Sequence, residues 1–547
     1  MDTAERARSL VDRYWERLLE LEPLTGTICG DERYDDRLPD PGERGRAASE
    51  AANRAALSEL RTIDRAALDV ALRGSLDILE AIANRTLTAI RLRTDRLSVA
   101  SHLWGPGQLL AELGSLQRAD TPERIERYEA RLRAVPGYLE SCAEIARESV
   151  GSGVTSPRVV TERAVAQVER LLALAPEDSP ALMPLRDGAP ARERVAALVR
   201  DVVDPAYARY RDVLRDYLPH ATTTIGVSAL PGGDEIYGAA IHAWTTLPLD
   251  AREVHDIGNE RFAAIGEERR RLASRLGYAD AHEAIAARRE SGADRFSSRE
   301  AMVELAREQV ERSWEAAPAY FGRLPSSNCE VRPVEEFREA DMPLAFYQPP
   351  TEDGTRRGVY YVNTYDLPGR DMHQLASVTY HEANPGHHFQ FALEQEMQDV
   401  PRLRRFGGFY AGSAFCEGWG LYSERLADEM GLYVDDWERL GMLEAQAHRA
   451  ARLITDTGIH ALGWSRADAI AKIEEGGQPH TDAVIEVDRY IAMPGQALSY
   501  MIGMIEIERA RAAAAAREGA SFSLSGFHDR LLALGELPLA ALRREIG

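Results

Sequence analysis

The sequence predicts a mainly α-helical protein with a small β element beside its candidate site. Three observations carry this expectation. Residues 43–92, 123–147, 158–173, 190–216, 250–277 and 298–319 are rich in Ala, Arg, Glu and Leu, with apolar positions at helical spacing. The breaks between them carry turn chemistry: "PDPGERG" near 40, "WGPGQ" near 105, "GSGVTSPR" near 153 and "LPGGDE" near 232. Strand signal is scarce, and its clearest case is "GVYYVNTY", residues 358–365, a β-branched and aromatic run ending in turn residues. The alanine-rich run from Arg511 reads as a surface helix driven by propensity.

The 547 residues suffice for more than one domain, or for one large domain with lobes. A net charge of −22 argues against nucleic acid and anionic membrane as partners. The cations are almost all Arg, with Lys472 the one Lys. There is no apolar run of about 18 residues, so no membrane span is expected. Residues 1–21 are amphipathic and charged and lack the apolar centre of a signal peptide. Cys29, Cys142, Cys329 and Cys416 form no C-x-x-C pair, which fits reduced thiols in the cytoplasm.

The chemistry concentrates in "YHEANPGHHFQ", residues 380–390. His-Glu opens the zinc signature H-E-x-x-H, but the place of the second His is taken by Pro385. His387 and His388 stand six and seven residues after His381. On a regular helix the first points about 120° away, and the second lies about 10 Å up the axis. Neither would share a metal with His381. Pro removes a helix hydrogen bond and clashes with the preceding turn, and Gly386 adds backbone freedom. A bulge over Asn384-Pro385-Gly386 that absorbs two residues returns His381 and His387 to one-turn spacing. The pattern then reads as a widened motif, with His388 the alternative second ligand and Glu382 placed as a general base. The plain alternative is a polar helix end with surface histidines. Three His and a Glu within eight residues, in a chain with 13 His, argue against it.

A zinc site needs a third ligand. In "AFCEGWGLYSERLADEMG", residues 414–431, Glu417 sits amid Phe415, Trp419 and Leu421, where a carboxylate is costly unless paired or metal-bound. Gly418 and Gly420 suggest close helix–helix approach. Glu424, seven residues on, falls on the same face and suits a position behind the ligands, or else a partner for Arg425 or Arg404.

Seven segments in order resemble the bacterial domain-of-unknown-function 885 family: "LPGGDEIY", "GVYYVN", "HEANPGHHFQ", "EGWGLYSERLADEMG", "RAARLITDTGIHALGW", "DRYIAMPGQALSYMIG" and "FHDRLLALGELPL". That family in turn resembles zinc metallopeptidases of the angiotensin-converting enzyme and carboxypeptidase Taq kind. The resemblance implies a two-lobed helical fold with a deep cleft, divided as an N-terminal lobe, 1–245, and a catalytic lobe, 246–547, within one family domain. It also implies one Zn2+ held by His381, by His387 or His388, and by Glu417. Gly386-His387 matches the "GH" of these relatives, whereas "HFQF" at 388–391 resembles the end of the angiotensin-converting enzyme motif.

Around this centre, "GVYYVN" is the candidate strand for laying out a substrate backbone by β-augmentation, with Tyr361 and Asn363 as contacts. Arg452, Asp456 and His460 form a polar stripe on an otherwise apolar helix. Asp456 is the candidate acceptor behind a ligand His, and His460 a substrate or oxyanion donor. A tetrahedral intermediate wants a donor opposite the metal. In the related peptidases a Tyr supplies it, and here Tyr500 or Tyr490 fits. Arg489 is the candidate for a substrate carboxylate, with Gln496 beside it. The function expected is a zinc-dependent hydrolase acting on short peptides. Its rivals are a metal enzyme for an amide or C–N bond of a small specialised metabolite, and a non-catalytic peptide-binding protein on the same fold.

Overall fold

The structure is a computed structural model and describes residues 2–336, 339, 342–350 and 357–546. It is mainly helical. Helix α1 (Thr3–Leu21) opens on a reciprocal cap: Asp2 accepts from the Glu5 N–H at 2.8 Å, and Glu5 accepts from the Asp2 N–H at 3.0 Å. The single helix expected over 43–92 is two, α2 (Glu43–Leu60) and α3 (Val70–Leu92). Two Asp residues lie between them, and the second starts α3. Asp64 caps a short turn, and the Asp69 side chain accepts from the Leu72 N–H at 2.8 Å. Next come α4 (Pro122–Ser152) and α5 (Arg158–Ala173). The helix expected over 190–216 is α6 (Pro190–Leu198) and α7 (Asp204–Tyr217), joined by a widened turn at Val199–Val203. Pro205 has no N–H to close a regular turn there. Helices α8 (Ala251–Arg275) and α9 (Arg299–Ala316) follow.

Three short strands come next: β1 (Glu330–Pro333), β2 (Ala345–Gln348) and β3 (Val359–Val362). Their order is β1-β3-β2, with β3 parallel to β1 and antiparallel to β2. The expected strand is therefore the middle one. Both of its backbone edges are paired, so it cannot take a substrate strand, and that expectation is corrected. Tyr361 lies buried and stacked on Phe346, ring centroids 4.8 Å apart. The Asn363 amide donates to the carbonyls of Glu339, Met342 and Pro343 at 2.7–3.0 Å, and its oxygen accepts from the Tyr365 N–H. Asn363 closes a loop and has no amide hydrogen left for a substrate.

The C-terminal half contains α10 (Met372–Glu382), α11 (His387–Gln395), α12 (Ala414–Glu429), α13 (Asp436–His460), α14 (His480–Ala492) and α15 (Ser499–Glu518). Helix α13 packs along both α8 and α10, and α15 along α12. The α12–α15 crossing is set by glycines. A Cβ on Gly418 would lie 2.3 Å from the Gly503 carbonyl carbon, and one on Gly503 would lie 1.8 Å from the Ala414 oxygen. The main core joins Leu10, Trp15 and Leu76 to Trp419, Leu453 and Phe527, so the first helices pack with the last ones. Residues 99–221 fold around a second core that includes Tyr128, Leu132, Tyr207 and Tyr210. Residues 1–245 thus contribute to both cores.

The start of α10 is fixed by a buried ionic knot. His373 Nδ1 lies 2.5 Å from Asp294, its Nε2 lies 2.9 Å from Glu444, and its N–H donates to Asp294. Burial pushes the imidazole pKa down, but the two carboxylates outweigh it and lift the value to about 9. A group raised from about 6.5 in the unfolded chain stabilises fully below that pH and loses its contribution as pH rises through 9. We therefore expect His373→Gln to be destabilised by a few kcal/mol at pH 6 and by much less at pH 9.5. Urea unfolding of both proteins at the two pH values checks this, and an equal deficit at both would contradict a charged His373.

Candidate metal centre

Helix α10 ends on His381 and Glu382. Ala383, at φ −98° and ψ −113°, leaves the helical region, the Asn384–Pro385 bond is cis, and α11 begins at His387. The irregularity is thus a complete break between two helices, where the sequence predicted a bulge in one. Helix α12 holds the break: the Trp419 indole N–H donates to the carbonyls of Pro385 and Gly386 at 3.0 and 3.1 Å. Gly386 is required, because a Cβ there would lie 1.9 Å from the His381 oxygen.

The break turns α11 so that the imidazoles of His381 and His387 meet edge to face, centroids 4.8 Å apart. Glu417 faces both. Its Oε2 is 3.8 Å from His381 Nε2 and 3.7 Å from His387 Nε2, and one donor atom from each of the three residues lies within 4.8 Å of the other two. These separations are too long for good hydrogen bonds. They are close to the roughly 3.4 Å between neighbouring ligands about 2.1 Å from a tetrahedral ion. Gly420 leaves room for the His381 ring, since a Cβ there would lie 2.7 Å from Nε2. Two imidazoles and a carboxylate are the donor set that suits zinc.

Electrostatics agree with a cation site. Burial alone would raise the Glu417 pKa, yet the two imidazoles hold it well below the usual carboxylate range. Burial would lower His381, yet Glu417 and Glu424 lift it to about 9. Glu424 is buried, and its Oε1 lies 2.8 Å from His381 Nδ1, which aims Nε2 inward. Its other oxygen accepts from Ser377 Oγ at 3.0 Å and Gln446 Nε2 at 3.3 Å. Neither Ser377 nor Gln446 was expected from the sequence, although Ser377 stands one turn before His381. Glu382 follows directly, and burial raises its pKa against the lowering effect of His387 and His381. That suits a group that must both take up and release a proton. Tyr500 lies with its ring 6.4 Å from His381. Among the described residues nothing hydrogen-bonds its hydroxyl.

The alternative ligand His388 faces the sheet. Its Nε2 donates to the Ser327 carbonyl at 2.9 Å, and its Nδ1 accepts from the Tyr347 hydroxyl at 3.0 Å. Burial pushes its pKa down to about 4. Both nitrogens are engaged, so only His387 is brought to Glu417.

The polar stripe of α13 divides. Asp456 accepts from Tyr237 Oη at 2.6 Å and from the Gly495 N–H at 3.0 Å, and it touches no ligand His. Burial pushes its pKa up to about 7. His460 accepts from the Val227 N–H and donates to the Tyr490 carbonyl, leaving no nitrogen for an oxyanion. Both tie loops together, and both expectations are corrected. The acceptor behind His381 is Glu424. The Tyr490 hydroxyl donates to Glu486 at 2.6 Å and receives Arg452 Nε at 3.1 Å, so it is no free donor either. Gln496 accepts from Arg489 at 3.0 Å and is held by it. Arg489 also reaches Glu486, at 3.0 Å. A second acidic group, Asp294, Asp371 and His373, belongs to the ionic knot, where Arg288 and Arg289 already neutralise its carboxylates.

Comparison with solved structures places the same fold in two bacterial proteins. The crystal structure of a "putative lipoprotein" from Colwellia psychrerythraea superposes with a TM-score of 0.91 at 25% identity, covering 100% of this chain and 99% of that one. A protein from Shewanella oneidensis, described in the same words and as of unknown function, gives 0.78 at 19% identity over 98% of each chain. Curated proteins yield no match. A family model described as "Bacterial protein of unknown function (DUF885)" matches residues 23–546, and the chain belongs to that family.

Proposed function

We propose that the protein is a metal-dependent hydrolase of the zinc-peptidase kind, acting on amide bonds of short peptides. The observation that carries this is the convergence of His381, His387 and Glu417 with Glu382 next to them and Glu424 behind His381. His381, His387 and Glu417 would hold a zinc-type ion, which would supply Lewis-acid polarisation of a carbonyl and a more acidic water. Glu382 takes a proton from the attacking water at its carboxylate and returns it to the leaving nitrogen. The Tyr500 hydroxyl donates to the carbonyl oxygen as negative charge grows on it. Glu424 keeps His381 in one tautomer throughout.

The protein, incubated with a mixed library of short peptides, is expected to cleave some of them. A chelator should stop cleavage and added zinc should restore it. Metal-loaded protein that cleaves no peptide would shift the reading to an amide of a small metabolite, or to binding without turnover. A cytoplasmic location fits four cysteines that form no disulfide among the described residues. The description of its neighbours as lipoproteins points instead to an anchored form, and cell fractionation decides between the two. Among the described residues no helix is long and apolar enough to cross a membrane.

A further inference from the structure

We propose that Glu394 and Glu536 share one proton in a closed, water-holding chamber that joins α11 to the C-terminal turn, and that loss of this proton in alkaline solution loosens the joint. The chamber uses none of the three candidate metal ligands and does not depend on the hydrolase reading.

The chain brings the two glutamates together. The Glu536 N–H donates to Glu394 Oε1 at 2.9 Å, and the two residues are only 3% and 2% exposed. Arg404, from the short helix Arg402–Phe406, reaches the same place and is 2% exposed. Gly535, at φ +58°, keeps side-chain bulk out. The point its Cβ would occupy is 2.7 Å from Glu394 Oε1 and 3.2 Å from Arg404 Nη1. Those two atoms are therefore less than about 6 Å apart, a span that one water bridges with two hydrogen bonds of roughly 2.8–3.0 Å. Arg404 Nη1, Glu536 Oε1 and both amide atoms of Gln390 are buried without a hydrogen-bond partner. Gln390 stands one turn before Glu394 on α11. Donors and acceptors are orphaned side by side, and water, which both gives and accepts, satisfies such a set.

The charges around the chamber call for a proton. Two carboxylates share one guanidinium, and the neighbouring elements supply no second cation. Asp77 on α3, which also acts on Arg404, is paired with Arg65 and Arg544. Arg402 pairs with Asp31, and Arg405 donates to the Gln395 carbonyl. On α12 the Cys416 thiol meets Glu536 and is kept neutral by burial, and Glu417 adds negative charge. A buried carboxylate without a counterion is too costly to stay ionised, so one of the two takes up a proton. Burial raises the pKa of both, and Glu394 raises Glu536 further, against the lowering effect of Arg404. With one cation for both, that proton belongs to the pair. Glutamate in the unfolded chain loses its proton near pH 4.3. The pair therefore stabilises the fold fully below that pH and loses its contribution as pH rises through its own, higher pKa. Glu394 lies near the end of α11, whose first residue is His387, and Glu536 stands just before the C-terminal helix Leu539–Ile546. Two ionised carboxylates facing one arginine push these segments apart.

Infrared spectroscopy of the full-length protein as purified reads the proton directly. The carbonyl stretch of a protonated carboxyl should persist at about pH 6, where exposed glutamates have ionised. One such band should vanish in Glu394→Gln and equally in Glu536→Gln, since each variant keeps the side-chain shape and leaves one carboxylate for Arg404. Bands from Glu382 and Asp456, whose pKa values burial also raises, should stay in both variants. In thermal melts between pH 6 and pH 9 the wild type should lose more melting temperature than either variant, because the pair's contribution falls by up to about tenfold in the folding constant per pH unit. The same melts show that the variants are folded. A band lost in only one variant would assign the proton to that residue and overturn the sharing. No band lost in either, or equal pH dependence of melting in all three proteins, would overturn the proposal as a whole. A crystal structure of the wild type, which needs no variant, should place water between Arg404 Nη1 and Glu394 Oε1, and direct contact between those atoms would overturn the chamber.

Discussion

Glu382→Gln is expected to keep the metal and to lose about 10²–10⁴-fold in kcat, the range a positioned general base contributes. The amide is nearly isosteric with the carboxylate, and Glu382 is not among the three groups whose donor atoms converge. What it loses is the ability to accept a proton. The environment is built for that exchange, since burial lifts the Glu382 pKa while His387 and His381 restrain it. Steady-state kinetics beside metal analysis read both halves of the prediction. Activity within a few-fold of wild type would remove Glu382 from the mechanism.

The second large effect separates two adjacent histidines. His387→Ala removes a ligand, and metal affinity is expected to fall by at least about 100-fold, because two remaining protein ligands hold zinc poorly. His388→Ala should leave affinity within a few-fold. It breaks the contacts to Tyr347 and Ser327 and costs stability, since a buried imidazole and its partners lose their hydrogen bonds. Competition with a coloured chelator measures both affinities. The reverse pattern would mean that α11 sits in a different register.

The candidate ligands were legible because they are local. His381, Glu382 and His387 lie in one stretch whose Pro and Gly announce a break, and Glu417 announces itself as a carboxylate among large apolar residues. Glu424 follows from helical periodicity, two turns beyond Glu417. What the sequence could not show was which way polar groups on buried helices face. Asp456 and His460 share a stripe with Arg452, yet Asp456 is drawn to Gly495 and Tyr237 and His460 to Val227 and Tyr490. Those partners come from distant parts of the chain. The middle position of β3 was hidden for a similar reason: β1 and β2 have four residues each, and neither carries a strong strand signal of its own. The fold class was clear from helical spacing. The breaks at 61–69 and 199–203 turn on single residues, Asp69 and Pro205, whose effect periodicity does not register.

A metal site built from a broken helix should be occupied in the purified protein. Metal analysis with X-ray absorption on wild-type protein purified without chelator tests it most directly. One zinc per chain is expected, bound by two imidazole nitrogens and a carboxylate oxygen at about 2.0–2.2 Å. Protein that carries no metal, and takes none up from added zinc, would contradict it.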